Sequence, residues 1–303
     1  MNVWLENTNL SSNSGPNSFA QKLIRSFTKK DVKINQGPYD ISLCFIESFR
    51  KDMSKLPTVQ RLDGIYFNTA QNHVLQNSNI FRTYKQAKGV VFQSEFNKNL
   101  TLKRFGDHSN YTVIHNGADL DLINSISAST DSSLDKYENI WCCAASWRPH
   151  KRLKDNIDYF LEHSGPRDVL FIAGDKQEEQ IPKDDKIKYL GVLTPEQLIS
   201  LYKTSTYFIY LAWLDHCPNV VVDARAAGCK IICTNSGGTP EIAGPDAIII
   251  EQELWDFEPI DLYSPPPLDF SRKINNPCDV GYDMEVVANK YLEVLGNTIA
   301  GSR

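Results

Sequence analysis

"LDHCPNVVVDARAAGCKIICTNSGGTPEI", residues 214–242, is the stretch on which the fold turns. Two carboxylates, Asp215 and Asp223, stand eight positions apart. Between them lie His216, Cys217, Pro218, Asn219 and the valines Val220 to Val222. In isolation three consecutive valines favour a strand. A helix fits as well, because "KIICT" begins soon after Ala227 and Gly228 stands where a C′ glycine closes a helix. On that reading Asn219 caps the helix, Asp215 lies in the loop before it and Asp223 sits about one turn inside. Both acids and the unpaired N–H groups of the first turn then point at one place, suited to a phosphate.

Working outward, short apolar runs alternate with longer amphipathic ones. Residues 2–6, 39–47, 59–67, 87–94 and 111–119 are expected strands, and "SGPNSFAQKLIRSF" carries Phe19, Leu23, Ile24 and Phe27 at helical spacing. Residues 121–138, rich in Ser, Asp and Thr, read as a linker. The rhythm then restarts with strands at 139–146, 168–174, 186–193, 207–213 and 230–236. Thr194, Pro195 and Gln197 form a capping box for a following helix. The Pro-rich segment after residue 253 reads as an irregular surface excursion, and 281–297 as a closing amphipathic helix. The expected fold is α/β: two successive doubly wound domains facing a cleft, which would bind ligands at the carboxyl ends of their strands. We expect one domain over 1–130 and another over 138–282, with a final helix at 283–303 that can pack back on the first.

Composition narrows the function. The 303 residues, 41% hydrophobic and 23% charged, suit a two-domain globular protein. A net charge of −5 argues against a broad basic face for nucleic acid. The N-terminus lacks the pattern of a signal peptide, and no apolar run is long enough to span a membrane. Seven cysteines at spacings that fit no zinc site read as reduced, buried thiols in a cytoplasmic protein without a metal centre.

A second motif, "SWRPHKRLK" (146–154), follows the first strand of the second domain. It is either a solvated basic turn or a diphosphate clamp, Arg offering forked hydrogen bonds and Lys a point charge. In "QRLDGIYFN" (60–68), Asp63-Gly64 is either a turn dipeptide or part of a pair, Arg61 and Asp63, facing the cleft. Cys217 beside His216 suggests a nucleophile, but neighbours in sequence need not touch.

Taken in order, "SWRPHKRL", "VLFIAGD", "KYLGVLTPEQLISLY" and the opening stretch resemble the donor domain of the retaining glycosyltransferases of family 4, which have the GT-B fold. "VVFQSEFNK" and "VIHNGAD" resemble the end of that family's first domain, so the likeness covers roughly residues 88–250. The resemblance implies transfer of a sugar from a nucleotide diphosphate sugar to an acceptor hydroxyl, with no cofactor and no metal. It gives Asp223 the ribose hydroxyls and Asp215 the transferred sugar. His216, Cys217, Pro218, Asn219 and Val220 would offer backbone N–H groups. Arg148 with Lys151 or Arg152 would hold the diphosphate, Lys151 being favoured by its place in "RPHK". Gly15, Gly174, Gly191 and Val192 would fall along the donor, and Asp63, on the cleft reading of its pair, would face the sugar. Both acids are Asp where the family has Glu, and a single Gly15 before Pro16 stands for the usual Gly-Gly. The partners implied are a nucleotide-sugar donor and a glycan, lipid-linked or small-molecule acceptor, with peripheral membrane contact left open. The rival readings are a GT-B epimerase or phosphorylase and a non-catalytic sugar-nucleotide-binding subunit.

Overall fold

The computed structural model describes residues 1–12, 14–175, 181–276 and 278–302. Among these, one parallel sheet is built from β1 (Asn2–Glu6), β2 (Lys33–Ile34), β3 (Ile41–Phe45), β4 (Thr58–Leu62), β5 (Gly89–Phe92) and β6 (Tyr111–Val113). Its order is β2-β1-β3-β4-β5-β6. The second sheet holds β7 (Ile140–Ala144), β8 (Val169–Ala173), β9 (Ile187–Gly191), β10 (Tyr207–Tyr210), β11 (Lys230–Thr234), β12 (Ile248–Ile250) and β13 (Lys273–Ile274), in the order β13-β12-β11-β10-β7-β8-β9. Only β13 runs antiparallel. The order reverses between β7 and β10, and an open α/β sheet binds its ligand at such a switch point.

The helices are α1 (Gly15–Thr28), α2 (His73–Gln86), α3 (Glu95–Phe105), α4 (Leu120–Ser125), α5 (Leu153–His163), α6 (Pro195–Thr204), α7 (Asn219–Ala226), α8 (Thr239–Ala243) and α9 (Met284–Ala300). β3, β4 and β7 are buried along their whole length, as strands covered on both faces must be. α6 opens with the expected Thr194–Gln197 capping box. α9 packs its Met284, Val287, Tyr291 and Leu295 against α1 and the first sheet, so the chain's last helix belongs to the first core.

Four readings change. Of the two readings open for the valine run the helix holds, but its N-cap is Pro218 rather than Asn219. Asn219 is the first helical residue, and its side-chain amide donates to the carbonyl of Gly15 in the other domain at 2.8 Å. The strand expected through residue 67 stops at Leu62, where Asp63 and Gly64 (φ 136°) turn the chain, and the one expected through 213 stops at Tyr210. The Ser-rich linker carries the short helix α4 and a 3-10 turn over Ser132–Leu134. The excursion after residue 253 is more than surface: Trp255, Phe257, Ile260 and Leu262 pack against the cluster that holds Phe67 and Phe96 of the first domain. Its backbone also pairs there, Thr69 N–H donating to the Ile260 carbonyl at 3.0 Å.

Candidate active site in the interdomain cleft

A cleft of about 580 Å³ lies between the two sheets. Two helix N-termini enter it from opposite sides. α1 begins at Ser14–Gly15–Pro16 and α7 at Pro218–Asn219–Val220, and both stretches line the cleft. Neither helix has a side-chain cap or an acid in its first turn. Both therefore keep unpaired N–H groups and positive dipole ends toward an incoming anion.

The cationic side chain at this point is Lys151, at the end of the 3-10 turn that follows β7. Its ammonium pairs with Asp215 Oδ2 and donates to the Tyr210 hydroxyl at 2.9 Å, and that hydroxyl donates to the same Oδ2 at 2.5 Å. Oδ1 of Asp215 accepts no hydrogen bond among the described residues, so half of this carboxylate is left for a ligand. Burial alone would raise the Asp215 carboxyl, but Lys151 and Tyr210 outweigh it and hold the acid well below its ordinary range. The same burial drives the Tyr210 hydroxyl well above its ordinary value, so it stays protonated.

Asp223, one turn into α7, meets a cation from the other domain. Lys22 of α1 contacts both of its oxygens, at 2.6 and 2.8 Å, and donates its remaining proton to the Gly117 carbonyl at 3.2 Å. Burial pushes the Asp223 carboxyl up, against the pull of Lys22. Asp63 lines the cleft from the end of β4. Its Oδ1 pairs with the fully buried Arg61, while its buried Oδ2 has no partner among the described residues. Arg61 also donates to the Tyr291 hydroxyl at 3.1 Å and to Asn116 Oδ1 at 2.8 Å, and Asn116 donates onward to the Cys217 carbonyl at 2.8 Å.

Eleven of the residues expected at the site, Gly15, Asp63, Lys151, Gly174, Val192, Asp215, Cys217, Pro218, Asn219, Val220 and Asp223, line this cleft, and four do not. Arg152 is the clearest correction. It adopts a left-handed conformation (φ 55°) that turns it away from Lys151, and its guanidinium is buried against the carbonyls of Leu211 (3.4 Å) and Pro266 (2.6 Å) and against Gln252 Oε1 (3.0 Å). His216 turns its ring out of the cleft onto Phe67 and Phe96, in contact with Gly64, where any Cβ would collide with the imidazole. Burial holds this ring down to about 4 and that of His150 down to about 3, so both are neutral. Gly191 closes β9 and stands off the lining. Arg148 is exposed at the start of the 3-10 turn, with no ion pair among the described residues. The Cys217 thiol lines the cleft but is pushed up to about 12 by burial, which removes it as a nucleophile near neutrality.

Sequence reasoning missed Lys22, Tyr210 and Glu241. The Gly-Gly-Thr-Pro-Glu segment carries Glu241 into the first domain. There its carboxylate accepts from the backbone N–H groups of Glu95 (2.7 Å) and Phe96 (2.9 Å) at the start of α3 and pairs with His115 at 2.7 Å. Gly238 permits the approach, since a Cβ there would collide with the His216 carbonyl and crowd Ser94. Among the described residues no group of three or more His, Cys, Asp or Glu is arranged to hold a metal ion, and no helix is long and apolar enough to cross a membrane.

Two doubly wound domains facing one cleft define the GT-B architecture, and the chain has that fold. Its residues 127–256 match the family described as Glycosyl transferases group 1. Among solved structures it is similar to Anabaena Alr3699/HepE in complex with UDP and glucose. There the identity is 13% over 100% of this chain and 94% of that one, with a TM-score of 0.60. It is similar also to WaaG, a glycosyltransferase involved in lipopolysaccharide biosynthesis, at 10% identity over 100% and 94% of the two chains and a TM-score of 0.64. A glycosyltransferase from Rickettsia africae ESF-5 is 16% identical over 98% of both chains, with a TM-score of 0.61. No curated protein sequence matches the chain.

Proposed function

We propose that the protein transfers a sugar, with retention of anomeric configuration, from a nucleotide diphosphate sugar to an acceptor hydroxyl, and that it does so without a metal. One observation carries the reading: two uncapped helix N-termini and Lys151 line one cleft, together with the carboxylates of Asp63, Asp215 and Asp223. Departure of a diphosphate develops negative charge at the leaving oxygen. Fixed donors and a fixed cation stabilise that charge without reorganising. The free Oδ1 of Asp215 suits a sugar hydroxyl, and Asp223 suits the ribose. His150 and His216 are buried and neutral, so neither serves as a base of ordinary strength. Attack from the face the diphosphate leaves, with a departing phosphate oxygen taking the acceptor's proton, needs no such base. Because HepE has been seen with UDP-glucose, uridine nucleotides are the first donors to try.

The unpartnered Oδ2 of Asp63 favours one rival, in which this carboxylate is a general base and the sugar is inverted. Melting curves with UDP, GDP, ADP and dTDP identify the base, because a ligand of the folded state raises the melting temperature. Turnover of the matching sugar nucleotide is then followed with and without excess EDTA, and the product anomer is read by proton NMR. Retention with activity in EDTA is expected. An inverted product overturns the retaining mechanism, and loss of activity restored only by Mg²⁺ or Mn²⁺ overturns metal independence.

A further inference from the structure

Asp223 reaches the cleft already paired. Lys22 approaches from α1, in the opposite domain and 201 positions away in sequence. Its side chain is 9% exposed, and its three polar contacts, two to Asp223 and one to the Gly117 carbonyl, use up its three N–H donors. The lysine therefore has nothing left to offer a ligand of its own. Asp223 differs. Its side chain remains 21% exposed and lines the cleft, although each oxygen already accepts one bond from Lys22. A carboxylate has about four lone-pair sites, so roughly two stay open, on the cleft side. A carboxylate free to rotate would lose orientational freedom on binding two hydroxyls, whereas one clamped through both oxygens has lost it beforehand.

We propose that Lys22 is a positioning residue of the donor site: it fixes the Asp223 carboxylate toward the nucleotide's ribose, so that ribose recognition is shared by the two domains. The proposal rests on the reading of the cleft as a nucleotide-sugar site. Two consequences separate it from a purely structural ion pair. Discrimination between ribose and 2′-deoxyribose depends on Lys22, and the ribose contact forms only when α1 and α7 are together. A lysine that merely occupied the ribose place, to be displaced by the donor, would have the opposite effect on affinity.

The test is calorimetric titration of UDP and of 2′-deoxy-UDP into the full chain and into Lys22→Met, with Lys22→Gln as a second variant that keeps a donor to the carboxylate if Lys22→Met does not fold. In the wild type UDP is expected to bind about tenfold tighter than its deoxy analogue, the worth of one hydrogen bond to a charged group. Lys22→Met is expected to weaken UDP about tenfold and 2′-deoxy-UDP, which keeps its 3′-hydroxyl, by less, so that the preference narrows. Tighter UDP binding by the variant, or an unchanged preference beside a lowered melting temperature, overturns the proposal. Failure of the wild type to bind UDP or any other nucleoside diphosphate overturns the nucleotide-sugar reading itself. The two failures are thus told apart.

Discussion

At the scale of single residues, Lys151 and Arg152 are adjacent cations with opposite fates. The left-handed backbone at Arg152 ends the 3-10 turn and swings the second side chain to the far side of the loop. Lys151 stays beside Asp215 and Tyr210 at the cleft, while Arg152 ties the carbonyls of Leu211 and Pro266 together inside the second domain. Mutation should separate the two. Lys151→Met removes a charge-assisted contact to the leaving group, of the kind worth about 1.5–3 kcal/mol, so turnover falls roughly ten- to a hundredfold. Arg152→Met strips buried acceptors of their donor and costs about 3 kcal/mol of stability with nucleotide affinity nearly kept. Tyr210→Phe keeps the Lys151–Asp215 ion pair but loses the hydroxyl bridging it, so it should lower turnover less than Lys151→Met does. Rates and melting curves for the three variants decide the matter. A rate loss at Arg152 as large as that at Lys151 would put both cations at the diphosphate.

At the scale of elements, α8 is short, Thr239–Ala243, yet it delivers Glu241 to the N-terminus of α3 in the other domain. A carboxylate on unpaired helix N–H groups acts as a cap supplied from outside the helix, worth about 1 kcal/mol for a typical cap and more with the His115 contact added. Glu241→Ala is therefore expected to lower stability by about 1–2 kcal/mol, read as a shifted denaturation midpoint. An unchanged midpoint would mean that water replaces the cap at no cost. The motifs that carry α7 and its flanks were legible, because Gly228, the capping box at Thr194 and the apolar periodicities act within a few residues. The alternation also gave away both sheets. What stayed hidden was long-range. Lys22 looks like an ordinary surface lysine of an amphipathic helix until α7 is placed beside it. Tyr210 reads as one more apolar residue of a buried strand. Trp255 and Phe257 stand in a proline-rich run that by composition belongs to solvent, and only the neighbouring domain gives them a surface to cover.

At the scale of the molecule, the domains are joined through a cluster in which His216 sits between Phe67 and Phe96, with Trp255 behind them. Burial has a consequence for pH. In the unfolded chain a histidine binds a proton near its ordinary value of about 6.5. Folded, burial holds His216 down to about 4 and His150 down to about 3, with the nearby Lys151 acting in the same direction and Asp215 against it. Between those limits the unfolded state carries more protons than the folded one, so stability rises with pH and is lost as the pH falls. Asp215, held low, adds to the loss only below the ordinary carboxylate range. Asp63 and Asp223, pushed up mainly by burial, act in the opposite sense just above that range. The histidines therefore dominate from about pH 6.5 to pH 5. The melting temperature should be flat from about pH 7 to pH 8, below the ordinary thiol range, and fall steadily through that acid window. In His216→Phe, which keeps an aromatic ring in the cluster, the fall should be visibly shallower, whatever the variant's absolute stability. Melting curves at closely spaced pH values, for wild type and variant in parallel, test this directly. Parallel slopes would mean that His216 reaches water, and a proton, without the domains parting.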